Sequence, residues 1–258
     1  MRSRFFISAL TVLLLSTTSA TAAKKALLIG VDGYSNLSRL NNAISDAVAM
    51  GRALESLGFT VSQAHNPTRD KLIAALSVLE ASIEKNDIVL VFYAGHGVEV
   101  SKTNYLLPAD MPIPETAEEV SRHAIPAERL LASAHKHAPQ AVLLVLDACR
   151  DNPFPGKKIG RPAGLGQMAA PGRTFVLMAA DAGQTALDGL GTGDSIANSV
   201  FTRTLVAELL RPGQPLHALG RRVQIAVQRL AATVNHKQSP VYYDELATEI
   251  ILSQPSPK

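Results

Sequence analysis

Ile88-Val-Leu-Val-Phe-Tyr-Ala-Gly-His-Gly97 and Ala141-Val-Leu-Leu-Val-Leu-Asp-Ala-Cys-Arg150 are the stretches on which the reading of the fold turns. Each begins as a short, fully apolar run, the pattern of a strand buried on both faces of a parallel sheet. The first run ends in Ala94-Gly-His-Gly97 and the second in the turn Asp147-Ala-Cys-Arg150, so one histidine and the chain's single cysteine sit at matching strand ends. In an open parallel sheet ligands bind outside the carboxyl ends of the strands. If the two strands are neighbours, His96 and Cys149 meet there as a base and a nucleophile.

The flanking sequence supplies the rest of an α/β architecture. Ala26 to Val31 reads as a buried strand before the turn at Asp32-Gly-Tyr, and Asn41 or Asn42 caps a helix with Ile44, Ala47, Val48, Gly51, Leu54 and Leu57 at helical spacing. Gly58 stops that helix. Phe59 to Ala64 is a weaker strand, and Thr68 opens a helix with Leu72, Leu76, Leu79 and Ile83 on one face. Strand alternating with helix implies parallel pairing with helices on both faces. Val98 to Leu107 predicts a small hairpin around Ser101-Lys-Thr103, and Pro126 starts a helix through about His137. A long connection, 151–173, is crowded with Gly, Pro, Lys and Arg and reads as a functional or mobile loop. Thr174 to Ala180 is a fifth strand, followed by helices at about Asn198 to Leu210 and Pro215 to Val234.

The ends and the bulk bound the function class. Met1-Arg-Ser-Arg4 is basic, Phe5 to Leu15 is apolar but too short for a hydrocarbon core of about 30 Å, and Ala20-Thr-Ala22 is a cleavage pattern. Residues 1–22 therefore read as a secretory signal peptide, with an exported, periplasmic or secreted mature domain of residues 23–258 and no membrane association after cleavage. A lone cysteine makes no disulfide within the chain, so an exported thiol needs another reason to be there. Net charge is +3 with the basic pairs scattered, which gives no nucleic-acid footprint. His65, His123, His135, His137, His217 and His236 form no metal-ligand spacing, and no metal or other cofactor is expected.

A free thiol is mostly protonated near pH 7, so a catalytic cysteine needs a proton acceptor beside it. His96 fits that role. The glycines around it let the backbone turn and approach a ligand closely. The amides of Gly97 and Cys149 become donors to a tetrahedral oxyanion. The chemistry is acyl transfer, most economically peptide hydrolysis.

Ala26-Leu-Leu-Ile-Gly-Val-Asp-Gly-Tyr34, Asn41-Asn-Ala-Ile-Ser-Asp-Ala47, Val91-Phe-Tyr-Ala-Gly-His-Gly97, Asn104-Tyr-Leu-Leu-Pro-Ala-Asp110 and Leu146-Asp-Ala-Cys-Arg-Asp-Asn-Pro-Phe154 resemble the successive motifs of bacterial caspase-like peptidases, the metacaspase and orthocaspase group. The resemblance implies a three-layer fold with a central, mostly parallel sheet. It implies His96 and Cys149 as the catalytic dyad, and Gly97 as an oxyanion donor. Asp147, two before the cysteine, and Asp46 match the acidic residues lining the primary substrate pocket. Two carboxylates attract Arg or Lys, so cleavage after a basic residue is expected. Asp110 matches one member of a calcium-binding acidic cluster, but Gly156 stands where another aspartate would be, and calcium dependence is not supported. The division implied is a large-subunit-like part at about 24–155, the connecting loop at 151–173 and a small-subunit-like part at about 174–250. Lys158 and Arg161 in the loop are candidate self-cleavage sites. Ala180 to Asp188 and Gln238-Ser-Pro240 resemble pocket-shaping segments. The expected partner is a peptide or protein substrate. The rival reading is a catalytically silent module of the same fold that binds a partner in the same groove.

Overall fold

A computed structural model describes residues 22–149, 153–154, 156–157, 159 and 165–253, with Cys149 described by its backbone. The expected signal peptide up to Thr21 and both candidate self-cleavage residues, Lys158 and Arg161, lie outside the described residues. In chain order the elements are β1 (Lys24–Gly30), α1 (Ala43–Ser56), β2 (Phe59–His65), α2 (Arg69–Ser82), β3 (Ile88–Val100), β4 (Thr103–Leu106) and α3 (Ala117–His123). There follow β5 (Ile125–Pro126), α4 (Ala127–His135), β6 (Ala141–Cys149), β7 (Thr174–Met178), α5 (Val200–Leu209), α6 (Leu216–Ala232) and β8 (Val241–Asp244). Among the described residues no helix is long and apolar enough to cross a membrane.

The main sheet runs β2-β1-β3-β6-β7-β8, parallel except for the antiparallel β7-β8 pair, and β4 and β5 form a side hairpin on the far end of β3. Strand residues alternate strictly between two cores. Leu27, Val91, Leu144 and Leu146 face Leu72 and Leu76 of α2 and Leu130 of α4. Leu28, Phe92 and Val145 face Met50 and Leu54 of α1, Phe201 of α5 and Val223 of α6. Burying side chains of this size contributes about 1.5–3 kcal/mol each, which is why the apolar runs fix the centre of the sheet.

Both site-bearing strands are longer than the sequence predicts. β6 does not turn at Asp147 but continues through Cys149, and β3 does not end at Tyr93 but runs on to Val100. After Ala94, β3 leaves β1 and pairs with β4 while keeping its register with β6, so the His-Gly segment is a strand and not a turn. Gly95 is needed for close approach: a Cβ there would lie 2.6 Å from the Tyr93 hydroxyl and 2.8 Å from that of Tyr34. The hairpin turn is tight, with Ser101 at φ 50° and Lys102 at φ 67°, the left-handed geometry of a two-residue β-hairpin.

Three other expectations change. Asn42 does not cap α1 with its side chain; Asp32 does, its Oδ1 accepting Ala43 N at 2.7 Å and Ile44 N at 3.3 Å. Helix α3 was not foreseen because only Val120 is buried, although Thr116, three before Glu119, is a capping signature. The connection 151–173 is not a freely exposed loop throughout. Phe154, Leu165 and Met168 are buried, and Gly166 exchanges hydrogen bonds with the Asn104 side chain at 3.1 and 2.6 Å.

Candidate active site

Parallel pairing of β3 with β6 sets His96 opposite Cys149 in register. Neighbouring strands lie about 4.8 Å apart, so the two backbones meet at adjacent positions on the carboxyl side of the sheet. Tyrosines brace the histidine backbone. His96 N donates to the Tyr34 hydroxyl at 2.7 Å, and the Tyr93 hydroxyl accepts Leu107 N at 3.1 Å while donating to the His96 carbonyl at 2.7 Å. The Tyr34 ring packs on the imidazole with centroids 4.6 Å apart.

The imidazole is 5 % exposed, and its Nε2 lies 2.9 Å from the Ser38 carbonyl oxygen and 3.4 Å from the Ser38 hydroxyl. A carbonyl oxygen only accepts, so Nε2 carries a proton, and it is on Nδ1 that the ring holds its lone pair whenever it is neutral. That is the form a general base requires. Gly97 follows opposite Leu106, and a Cβ there would come within 2.9 Å of the Leu165 side chain.

Below the strand ends, on the α1 and α5 face, the structure brings Asp46 and Asp147 together. Asp46, in the first turn of α1, is 2 % exposed and so is not a solvent-facing helix residue. Its Oδ1 accepts the Asn198 amide at 2.9 Å and Ser199 N at 3.0 Å. Asp147 Oδ2 accepts the Ser199 hydroxyl at 2.5 Å and the Thr202 hydroxyl at 2.7 Å. No described Lys or Arg forms an ion pair with either carboxylate. Burial, and then the charge of Asp147, push Asp46 up to about 8, against the bonds from Asn198 and Ser199. Burial raises Asp147 to about 6, against its two hydroxyl donors. Asp188 is raised too, by burial and by Asp32. A buried acidic pair held this way gains from a cation.

Asp188, Asn198, Ser199 and Thr202 escaped the sequence reading as site residues. Asp188 ends the Ala180 to Asp188 segment, and its carbonyl accepts the Asn42 amide at 2.6 Å. Ser199 carried a recognisable signal, since it caps α5 by accepting Thr202 N at 2.8 Å. Gln238, 1 % exposed, ties down the segment after β7: its amide donates to Ala179 O at 2.9 Å and its oxygen accepts Leu187 N at 3.1 Å. Asp110 has a structural task, accepting Arg69 N at the start of α2 at 2.8 Å. Among the described residues no three His, Cys, Asp or Glu side chains stand together as a metal site.

A family model described as the caspase domain matches residues 23–251. Mucosa-associated lymphoid tissue lymphoma translocation protein 1 of Homo sapiens is 26% identical over 127 residues, covering 49% of this chain and 15% of that protein. Its Mus musculus homolog matches to the same extent. The chain thus spans only 15% of the length of these relatives. From its sheet order, its helices and a match over nearly the whole described length, the chain belongs to the caspase-domain family of cysteine peptidases.

Proposed function

We propose that this chain is an exported cysteine endopeptidase that cuts after Arg or Lys, with Cys149 as nucleophile and His96 as base. The observation that carries the reading is the adjacency of the His96–Cys149 register pair to a buried carboxylate pair, Asp147 of the same β6 strand end and Asp46 of α1. His96 takes the thiol proton on Nδ1, and the sulfur adds to the scissile carbonyl carbon. The oxyanion is received by the amides of Gly97 and Cys149, where one donor is worth about 10²–10³ in rate. Collapse breaks the C–N bond, and His96 returns the proton to the leaving amine. Water then attacks the thioester, giving its proton to His96, and releases the carboxylic acid and the thiol. Asp46 and Asp147, joined by Asp188, receive the guanidinium or ammonium of the residue before the cut bond.

The test is turnover of fluorogenic peptides ending in Arg, Lys or Asp by the purified protein and its Cys149→Ala variant. Arg and Lys peptides are cleaved, the Asp peptide is not, and the variant is inactive. Wild type that turns over none of them, while binding a peptide, returns the chain to the silent-module reading.

A further inference from the structure

No helix or strand lies between Met178 and Val200, yet this irregular stretch delivers Asn198 and Ser199 onto the two pocket carboxylates. Something other than regular secondary structure must hold it. Arg203, one turn into α5, does so from the helix side. Its Nη1 and Nη2 bind Asp194 Oδ1 and Oδ2 at 3.0 and 2.7 Å, a two-pronged pairing that fixes direction as well as distance. The remaining donors reach back along the chain. Nε lies 3.1 Å from Asn198 O and 3.3 Å from Ser199 O, and Nη2 lies 2.6 Å from Asn198 O. Asp194 gathers the other side by accepting Leu190 N at 2.7 Å and Ile196 N at 3.2 Å. The paired side chains are only 11% and 9% exposed, so the pair is not of the solvent-screened kind that contributes little.

We propose that Arg203 and Asp194 are positioning residues of the substrate pocket, a clasp that sets Asn198 and Ser199 against Asp46 and Asp147 and thereby tunes recognition of a basic side chain. The proposal rests on the reading of that pocket as the seat of Arg or Lys. Among the described residues neither Arg203 nor Asp194 hydrogen-bonds to β3 or β6, so the clasp acts on substrate capture and not on the chemical step. Its loss removes the two donors to Asp46, and with them the bonds that favour the ionised carboxylate.

Arg203→Lys keeps the charge but not the planar fork, and Asp194→Asn removes the anionic partner. For an Arg-terminated peptide both variants should raise KM about tenfold or more while kcat stays within about threefold, as expected for a lost planar pairing. Kinetics on the matching citrulline peptide, which has the same shape without charge, should barely change. The low-pH limb of kcat/KM on the Arg peptide should move to higher pH. The double variant should be no worse than either single one, because one unit is being broken. Thermal unfolding monitors the fold in parallel. A wild type that cleaves no Arg or Lys peptide overturns the basic-pocket reading and this proposal together. A wild type that prefers Arg, with variants that keep its KM and pH profile, overturns this proposal alone. So does an equal loss on Arg and citrulline peptides, or failure of both variants to fold, either of which makes the pair a purely structural tie.

Discussion

Asp46 and Asp147 are joined through one intervening residue: Ser199 gives its backbone amide to the first at 3.0 Å and its hydroxyl to the second at 2.5 Å. Two acids from different elements, α1 and β6, are thereby fixed as a pair at the start of α5. Burial holds both above the ordinary carboxylate range, so without a cation the pair resists full ionisation near neutral pH. Most of what the site is expected to do follows from that arrangement.

Removing one charge should weaken basic-residue recognition. Asp147→Asn keeps the shape and still accepts from Ser199 and Thr202. A lost charge-assisted contact is worth about 1.5–3 kcal/mol, so kcat/KM on Arg and Lys peptides should fall on the order of ten- to a hundredfold. Steady-state kinetics against the citrulline peptide checks it. An unchanged Arg-to-citrulline ratio places the pocket elsewhere.

The same carboxylates predict a pH signature. Both are raised, so the ionised, cation-binding pair accumulates only as pH climbs through the range from about 6 to about 8. The ratio of kcat/KM for Arg over citrulline peptides should therefore rise across that window, a comparison that cancels the titration of the dyad.

Stability should run the other way. A carboxyl whose folded value lies above its unfolded one stabilises the fold most at low pH and loses that contribution as pH rises through the folded value. Melting temperature of unliganded Cys149→Ala should carry a downward component between about pH 4 and pH 8. An Arg-terminated peptide should offset it. A melting curve indifferent to that peptide at pH 8 would count against a cation site.

Cys149→Ala should abolish turnover, because the nucleophile is removed with little change in volume. His96→Ala should be nearly as severe. Ser38→Ala, by contrast, keeps the carbonyl that binds Nε2 and should retain activity within about threefold, since a neutral hydroxyl contact contributes little. Circular dichroism on each variant separates lost chemistry from lost fold.

Self-cleavage after Lys158 or Arg161 should appear on incubation of wild type and be missing from Cys149→Ala, read by mass spectrometry. The pieces should then co-migrate on gel filtration. Five register pairs, Val142↔Thr174 through Leu146↔Met178, hold the two sides of the cut in one sheet, and Phe154, Leu165 and Met168 are buried against the core on either side of it. Full activity in an uncut wild type would remove processing as a requirement.

Strand runs, the long helices and the His96–Cys149 juxtaposition were legible because apolar continuity and helical spacing are local signals with one dominant reading. The extension of β3 through Val100 was not. Glycine and histidine read as a turn, and only the far pairing with β4 and β6 keeps them extended. Asp46 and Asp147 were reached through family motifs and not through periodicity. Asp188, Asn198 and Asp194 were hidden because polar residues in an irregular stretch have no pattern until folding shows what they touch. Ser199 shows the limit well: its capping spacing was readable, but its second bond, to Asp147, depends on tertiary placement.

Finally, the partner of Nε2 in His96 is a main-chain oxygen. No codon change can delete a carbonyl, so a side-chain substitution at Ser38 leaves this contact in place. What heredity must preserve instead is the path of the chain from Asp32 to Leu40. That path is held by Ser35 N on Ala109 O at 2.9 Å, Leu40 N on Asp32 O at 3.0 Å and the Asn36 amide on Met111 O at 3.1 Å. The vulnerability is therefore one of length: insertion or deletion of a single residue between Ser35 and Leu40 should silence the histidine while leaving every recognisable motif intact.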